Sequence, residues 1–300
     1  MKFGVIGLGR IGGGLSLQAM EKGHQVVGYS LSGEELKNLK SKGLEPSDSV
    51  GDLAKKLKSP RIVFLYIPHG KPMDEVCMEI KQHLEKDDIL IDGGNSHWKK
   101  SISRHEEFKE LGIHFMDCGT SGGVEGARDG ACFMVGGDTE AYSIAEPIFR
   151  DLAVPEGCMH VGPAGAGHFT KLIHNAIEFG MLQAIGEGMA MLQASDYKLD
   201  LPRLIHNWSN GSVIRSWLIE LMGRGLRENK LEALSDYVED TREVRWAVEY
   251  ALEKEVSIPV ICQSELALYS SRTSENISAK AVAVMRNQFG GHPLHKKGAS

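Results

Sequence analysis

Short apolar runs alternate with amphipathic stretches from the second residue onward. Lys2–Ile6, Gln25–Tyr29, Ile62–Ile67, Ile89–Asp92, His114–Asp117 and Ala131–Val135 read as strands. Between them, segments such as Ile11–Lys22, Gly33–Lys42 and Met73–His83 read as helices with one apolar face. Strand and helix in regular turn predict a mainly parallel, doubly wound sheet. Near Pro163 the rhythm changes: strand signals stop, and helical patterns run through to Asn287. The pattern therefore predicts an α/β domain over residues 1–162 and an all-α domain over 163–300.

Composition narrows the function classes. The net charge of -6 argues against general nucleic-acid binding, which needs a basic face. Five scattered cysteines without a C-x-x-C pair read as buried thiols in a reducing compartment, with no disulfide framework. No His/Cys/Asp/Glu cluster has metal-ligand spacing, so no metal is expected. The first apolar segment is too short for a signal-peptide core, and no apolar run approaches bilayer length. The expectation is a cytoplasmic protein without a membrane partner.

Gly7-Leu8-Gly9-Arg10-Ile11-Gly12 follows the first strand directly and opens the first helix. Gly7 permits a tight turn, Gly9 lets the backbone approach a pyrophosphate, and Gly12 allows close packing of helix on strand. The helix N-terminus offers unpaired N–H groups to the phosphates. The N-terminal domain is thus expected to be of Rossmann type and to bind NAD or NADP. Ile67, Pro68 and Asn95 are assigned to the same cofactor surface as the six turn residues. The second strand ends at Ser30, where a carboxylate would read the ribose of NAD. Without that carboxylate, and with Ser30 and Ser32 able to bond a 2′-phosphate and Lys37 or Lys40 nearby, the reading leans to NADP.

Two later segments carry substrate chemistry. Asp92-Gly-Gly-Asn95-Ser96 lies at the carboxyl edge of a strand, where ligands bind in such sheets. Ser121-Gly122-Gly123 presents consecutive backbone N–H groups and a hydroxyl, a cradle for a carboxylate. In Gly165–Gly180, Lys171, His174, Asn175 and Glu178 recur three and four residues apart, which sets them on one helix face. Gly165 and Gly167 in the first turn point to close approach of another backbone or a ligand.

With these motifs the chain resembles the β-hydroxyacid dehydrogenases, most closely the short, decarboxylating 6-phosphogluconate dehydrogenases. The likeness covers nearly the whole length. It rests on Gly7–Gly12, Asp92–Ser96, Ser121-Gly-Gly-Val-Glu-Gly-Ala-Arg128, Gly165–Gly180, Gly211–Leu218 and Arg286–His292. The resemblance implies oxidation of 6-phosphogluconate at C3, loss of C1 as carbon dioxide, and formation of ribulose 5-phosphate. Lys171 would be the base if desolvation lowers its pKa from about 10.4 to roughly 7–8. Glu178, about 10 Å along the helix, would protonate the enediol. Asn175 and Asn95 would orient hydroxyls or the nicotinamide, Ser121, Gly122 and Gly123 would hold the carboxylate end, and His174 a hydroxyl. The family also implies a homodimer, with Arg286 and His292 reaching into the partner's site.

Departures gather where the family holds the substrate phosphate. Phe179 stands for a tyrosine, Ala247 for a threonine and Leu268 for an arginine, while Arg272 lies one helical turn further on. Loss of several partners of a dianion points either to weaker phosphate binding or to another terminal group on a related sugar acid. A non-decarboxylating 3-hydroxy acid dehydrogenase and a non-catalytic nucleotide-binding regulator are the rival readings.

Overall fold

In the computed structural model the chain is described over residues 1–229, 231–272, 276–290 and 293. It divides into two compact units, Met1–His174 and Asn175–Ser300. The first contains eight strands: β1 (Lys2–Ile6), β2 (Gln25–Tyr29), β3 (Glu45–Pro46), β4 (Ile62–Leu65), β5 (Ile89–Asp92), β6 (His114–Ser121), β7 (Ala131–Gly136) and β8 (Ala153–Gly162). Its helices are α1 (Arg10–Glu21), α2 (Gly33–Lys40), α3 (Val50–Lys55), α4 (Lys71–Ile80), α5 (Trp98–Lys109), α6 (Gly123–Asp129) and α7 (Thr139–Leu152). Helix α8 (Ala166–Gln193) runs unbroken from the first unit into the second. The second continues with α9 (Leu201–Trp208), α10 (Trp217–Glu228), α11 (Glu243–Glu253), α12 (Pro259–Ser271) and α13 (Ile277–Gly290). The chain is therefore a Rossmann-type α/β fold followed by helices, as the periodicity predicts.

The sheet order is β3-β2-β1-β4-β5-β6-β7-β8. All neighbouring pairs are parallel except β6 and β7. Helices cover both faces of such a sheet, so its strands can be apolar on both sides. Strand residues accordingly alternate between two cores. Phe3, Val5, Ile62, Phe64, Ile89 and Ile91 enter one. Ile6, Val63, Leu65 and Leu90 enter the other. Chain order reverses between β1 and β4, and ligands bind beyond the strand ends at such a point.

Two strands were not legible in the periodicity. β3 is only two residues long. β8 carries Pro155 and Gly157, and Glu156 has a left-handed φ of 62°. Its register jumps from Ala131↔Ala153 to Phe133↔Cys158, so the extra residues bulge out of the ladder. In the helical unit a smaller core forms around Met189, Ile205 and Ile219. No described helix is long and apolar enough to cross a membrane.

Candidate active site

The glycine turn has the geometry a dinucleotide requires. Gly7 sits at φ +90°, and a Cβ there would strike the Tyr66 carbonyl. A Cβ on Gly12 would strike the Gly7 carbonyl, so α1 can pack this close to β1 only through glycine. Gly9 differs: around its Cβ position the nearest group is Glu35 Oε1 at 3.8 Å. The turn is closed on its protein side and open where a pyrophosphate would lie. Leu8 is buried in the core, Arg10 is exposed at the start of α1, and Ile11 is half-buried. Ile67 packs against Gly7, and Pro68 beyond it is exposed.

Tyr66, between β4 and Pro68, joins the segments. Its ring fills the space a Cβ on Gly93 would need, at 2.5 Å, and its Cβ is 2.9 Å from the corresponding point on Gly12. Its hydroxyl and that of Thr120 on β6 share a hydrogen bond of 3.2 Å. Burial holds this phenol well above its ordinary pKa.

Asp92 at the end of β5 is fully buried and shapes the next loop. Its Oδ1 accepts from the Gly94 amide at 2.9 Å. Its Oδ2 accepts from Ser96 Oγ at 2.7 Å and from Arg104 Nη1 at 3.1 Å. Asn95, held between these contacts, is forced to φ +50°. Its Oδ1 is buried without a hydrogen-bond partner. A buried unpaired acceptor in a strained residue is a place prepared for a donor from outside the chain.

Asp117 on β6 is likewise fully buried, and its oxygens accept from the Gly165 and His168 amides at 2.6 and 2.7 Å. A carboxylate thereby caps the start of α8, where the helix dipole favours negative charge. The cap presses α8 onto the sheet. A Cβ on Gly167 would meet the Asp117 carbonyl and, at 2.6 Å, the Met134 carbonyl. A Cβ on Gly119 would meet Lys171 Cβ, so the lysine stem lies across that glycine. Gly167 thus shows the close backbone approach expected of it; Gly165 lies just before α8 at φ +90°, where a Cβ would come 2.7 Å from Ile102 Cγ1 and 3.2 Å from the Trp98 carbonyl.

The result is a polar row. Lys171 is 6% exposed, and its Nζ lies 3.3 Å from His174 Nδ1. His174 Nε2 lies 3.1 Å from Ser121 Oγ. With the amine protonated, it donates to Nδ1 while Nε2–H donates to the serine oxygen. Gly122 and Gly123 follow Ser121 at φ 118° and 62°, and no group lies within 4 Å of a Cβ on Gly123. Further along α8, Asn175 is buried and Glu178 is half-buried.

The residues that the resemblance would set at a substrate phosphate belong to the helical unit. Leu268 and Ala247 are buried core residues of α12 and α11. Arg272 Nη2 donates to Asp240 Oδ2 at 3.1 Å, and its guanidinium lies over the Tyr269 ring. Arg286 is exposed on α13, and His292 lies outside the described residues. Sequence reasoning gave no role to Tyr66, Asp117, Arg104 or Glu35. Only Glu35 carried a local signal, as the fourth residue of a Ser32-x-x-Glu35 capping box.

Comparisons with known proteins bear on the fold and the family. Residues 2–162 match the NAD binding domain of 6-phosphogluconate dehydrogenase, and residues 189–299 match the 6-phosphogluconate dehydrogenase C-terminal domain. The chain is similar to YqeC of Bacillus subtilis strain 168, provisionally named a 6-phosphogluconate dehydrogenase. The two are 45% identical over 99% of this chain and 100% of that one. A Haloferax volcanii protein named as an NAD(+)-dependent, decarboxylating 6-phosphogluconate dehydrogenase is 39% identical over 99% of both chains. Among solved structures, the Plasmodium falciparum 6-phosphogluconate dehydrogenase superposes with a TM-score of 0.83 at 27% identity. That match covers 100% of this chain and 67% of the other.

Proposed function

The chain belongs to the 6-phosphogluconate dehydrogenase family, and on that premise we propose that it oxidises and decarboxylates 6-phosphogluconate to ribulose 5-phosphate. It is an NAD(P)-dependent hydroxyacid dehydrogenase. One observation carries the assignment of chemistry to residues. Lys171 is a buried amine, held over Gly119 and linked through His174 to Ser121.

The residues present fit a nicotinamide dinucleotide, since the Gly7–Gly12 turn is open only at Gly9. A nicotinamide held there would supply the hydride acceptor for oxidation at C3. Lys171 Nζ takes the C3 hydroxyl proton as that hydride departs. The ammonium so formed donates to the new carbonyl oxygen and draws electron density from the C1–C2 bond. As that bond breaks, its electron pair forms the enediol and C1 leaves as carbon dioxide. Glu178 gives a proton to the carbon that was C2, and Lys171 recovers the proton of the C3 hydroxyl as the ketone forms. Ser121 with the Gly122 and Gly123 amides holds the carboxylate end before it leaves. The buried Asn95 Oδ1 and the Asn175 side chain orient hydroxyls or the nicotinamide.

A homodimer with Arg286 and His292 shared between sites belongs to the same proposal. The exposed Ile277, Val282, Val284 and Met285 on α13 support a covered face there. A second reading, a sugar acid with a different terminal group, is favoured by the engagement of Arg272 with Asp240 and by the burial of Leu268. The test is a panel of aldonic acids, phosphorylated and not, assayed with both nicotinamides while carbon dioxide is read. The expected result is carbon dioxide in step with cofactor reduction, highest with the 6-phosphate. Reduction without carbon dioxide defeats decarboxylation, and a preference for an unphosphorylated acid moves the assignment to the second reading.

A further inference from the structure

We propose that Glu35 selects the cofactor, by accepting hydrogen bonds from the adenosine ribose and repelling a 2′-phosphate, so that the enzyme prefers NAD. The inference deepens the dehydrogenase reading and rests on its nicotinamide cofactor, not on its substrate.

In doubly wound sheets the group that distinguishes the two dinucleotides stands beyond the end of the second strand, next to the glycine turn. Ser30 holds that position and brings no charge. Its hydroxyl, however, donates to Glu35 Oε2 at 3.0 Å. The other oxygen, Oε1, is the group found 3.8 Å from the open Cβ position of Gly9. One carboxylate therefore spans the end of β2 and the turn that receives the pyrophosphate.

Local hydrogen bonding explains why it points there. Ser32 caps α2, its Oγ accepting from the Glu35 amide at 3.4 Å. In an ordinary capping box the glutamate returns to the N–H of the capping residue. Here that N–H donates to Ser30 Oγ at 3.3 Å, which leaves the carboxylate to turn toward Gly9. Both serines that a 2′-phosphate would have used are thus committed to one another and to Glu35. The first turn of α2 carries Glu34 and Glu35, whereas Lys37 and Lys40 lie in its last turn. An ionised carboxylate only accepts hydrogen bonds, so it suits a ribose diol and opposes a phosphate dianion.

The experiment measures binding of NADH and NADPH to the full chain by nicotinamide fluorescence, without substrate, and repeats it with Glu35→Gln and Glu35→Asp. The wild type is expected to hold NADH more tightly than NADPH by about tenfold or more, the worth of a charge-assisted bond. Glu35→Gln, which keeps the side chain's shape and the Ser32 cap, is expected to weaken NADH and strengthen NADPH. Glu35→Asp keeps the charge and is expected to keep the preference for NADH. Tighter NADPH binding by the wild type overturns the proposal, as does a ratio that Glu35→Gln leaves unchanged. Failure to turn over any aldonic acid while the NADH preference holds removes the substrate reading and leaves this one standing.

Discussion

The α/β unit and the helical unit build their candidate ligand positions in different ways. Around the glycine turn and the start of α8, position is set by backbone. Gly7, Gly12, Gly119 and Gly167 sit where any side chain would strike a neighbour, and Asp92 and Asp117 tie loops and a helix end to the sheet. In the helical unit, the residues expected at the terminal group of the substrate are side chains on helix faces. Two of them have become core residues, Ala247 and Leu268, while Arg272 pairs with Asp240. Backbone geometry tolerates almost no substitution, whereas a helix face can exchange a polar contact for packing. On the proposed reading the reaction centre is therefore fixed by backbone, and the departures from the family pattern fall among the residues expected at the terminal group of the substrate.

The sharpest way to break the comparison is Lys171→Met, which keeps the stem across Gly119 and removes the amine. Loss of a general base is expected to lower kcat about 10²–10⁴-fold, with dinucleotide binding retained. Pre-steady-state hydride transfer with a separate cofactor titration checks it, and near-normal transfer would move the base elsewhere. Next comes Asp117→Ala, which leaves the Gly165 and His168 amides buried without their acceptor. It is expected to destabilise the α/β unit by about 3 kcal/mol, read from urea unfolding. A change below about 0.5 kcal/mol, the usual limit for surface sites, would show that the cap does not hold α8 on the sheet.

Glu178→Gln is expected to act on a different step. Hydride transfer should stay close to wild type while turnover falls about 10²-fold, with the enediol accumulating before protonation. An unchanged steady-state rate would remove Glu178 from the mechanism and confine the chemistry to the Lys171 end of the row.

The same contrast governs what could be read in the chain itself. Gly7–Gly12 and the buried strands were legible because each follows from a local constraint: a turn that needs glycine, or a strand covered on both faces. The row from Lys171 to Glu178 was legible because helical spacing alone aligns it. Asp117 was not, since the amides it caps are 48 and 51 residues away. Nor was β8, whose Pro155-Glu156-Gly157 has the composition of a loop and becomes a bulge only against β7. The role of Glu35 was hidden differently. Its capping-box position is plain in Ser32-x-x-Glu35, but its direction depends on Ser30 Oγ occupying the Ser32 amide.

The smallest expected effect bears on the helical unit alone. Arg272 lies one helical turn beyond the position of the family's missing arginine, and it is held by Asp240, whose side chain is 12% exposed. Removing that competitor with Asp240→Asn leaves the guanidinium charge available to a dianion. A partly exposed ion pair of this kind is worth about 1 kcal/mol, so KM for a phosphorylated acid should fall about three- to fivefold. KM for its unphosphorylated counterpart should not move, because a neutral end gains little from a freed cation. Equal shifts for both acids would mean that the substitution repacks α12 without exposing a phosphate site. No shift in either would place the terminal group of the substrate away from Arg272, and with it any change of specificity expected from Leu268 and Ala247.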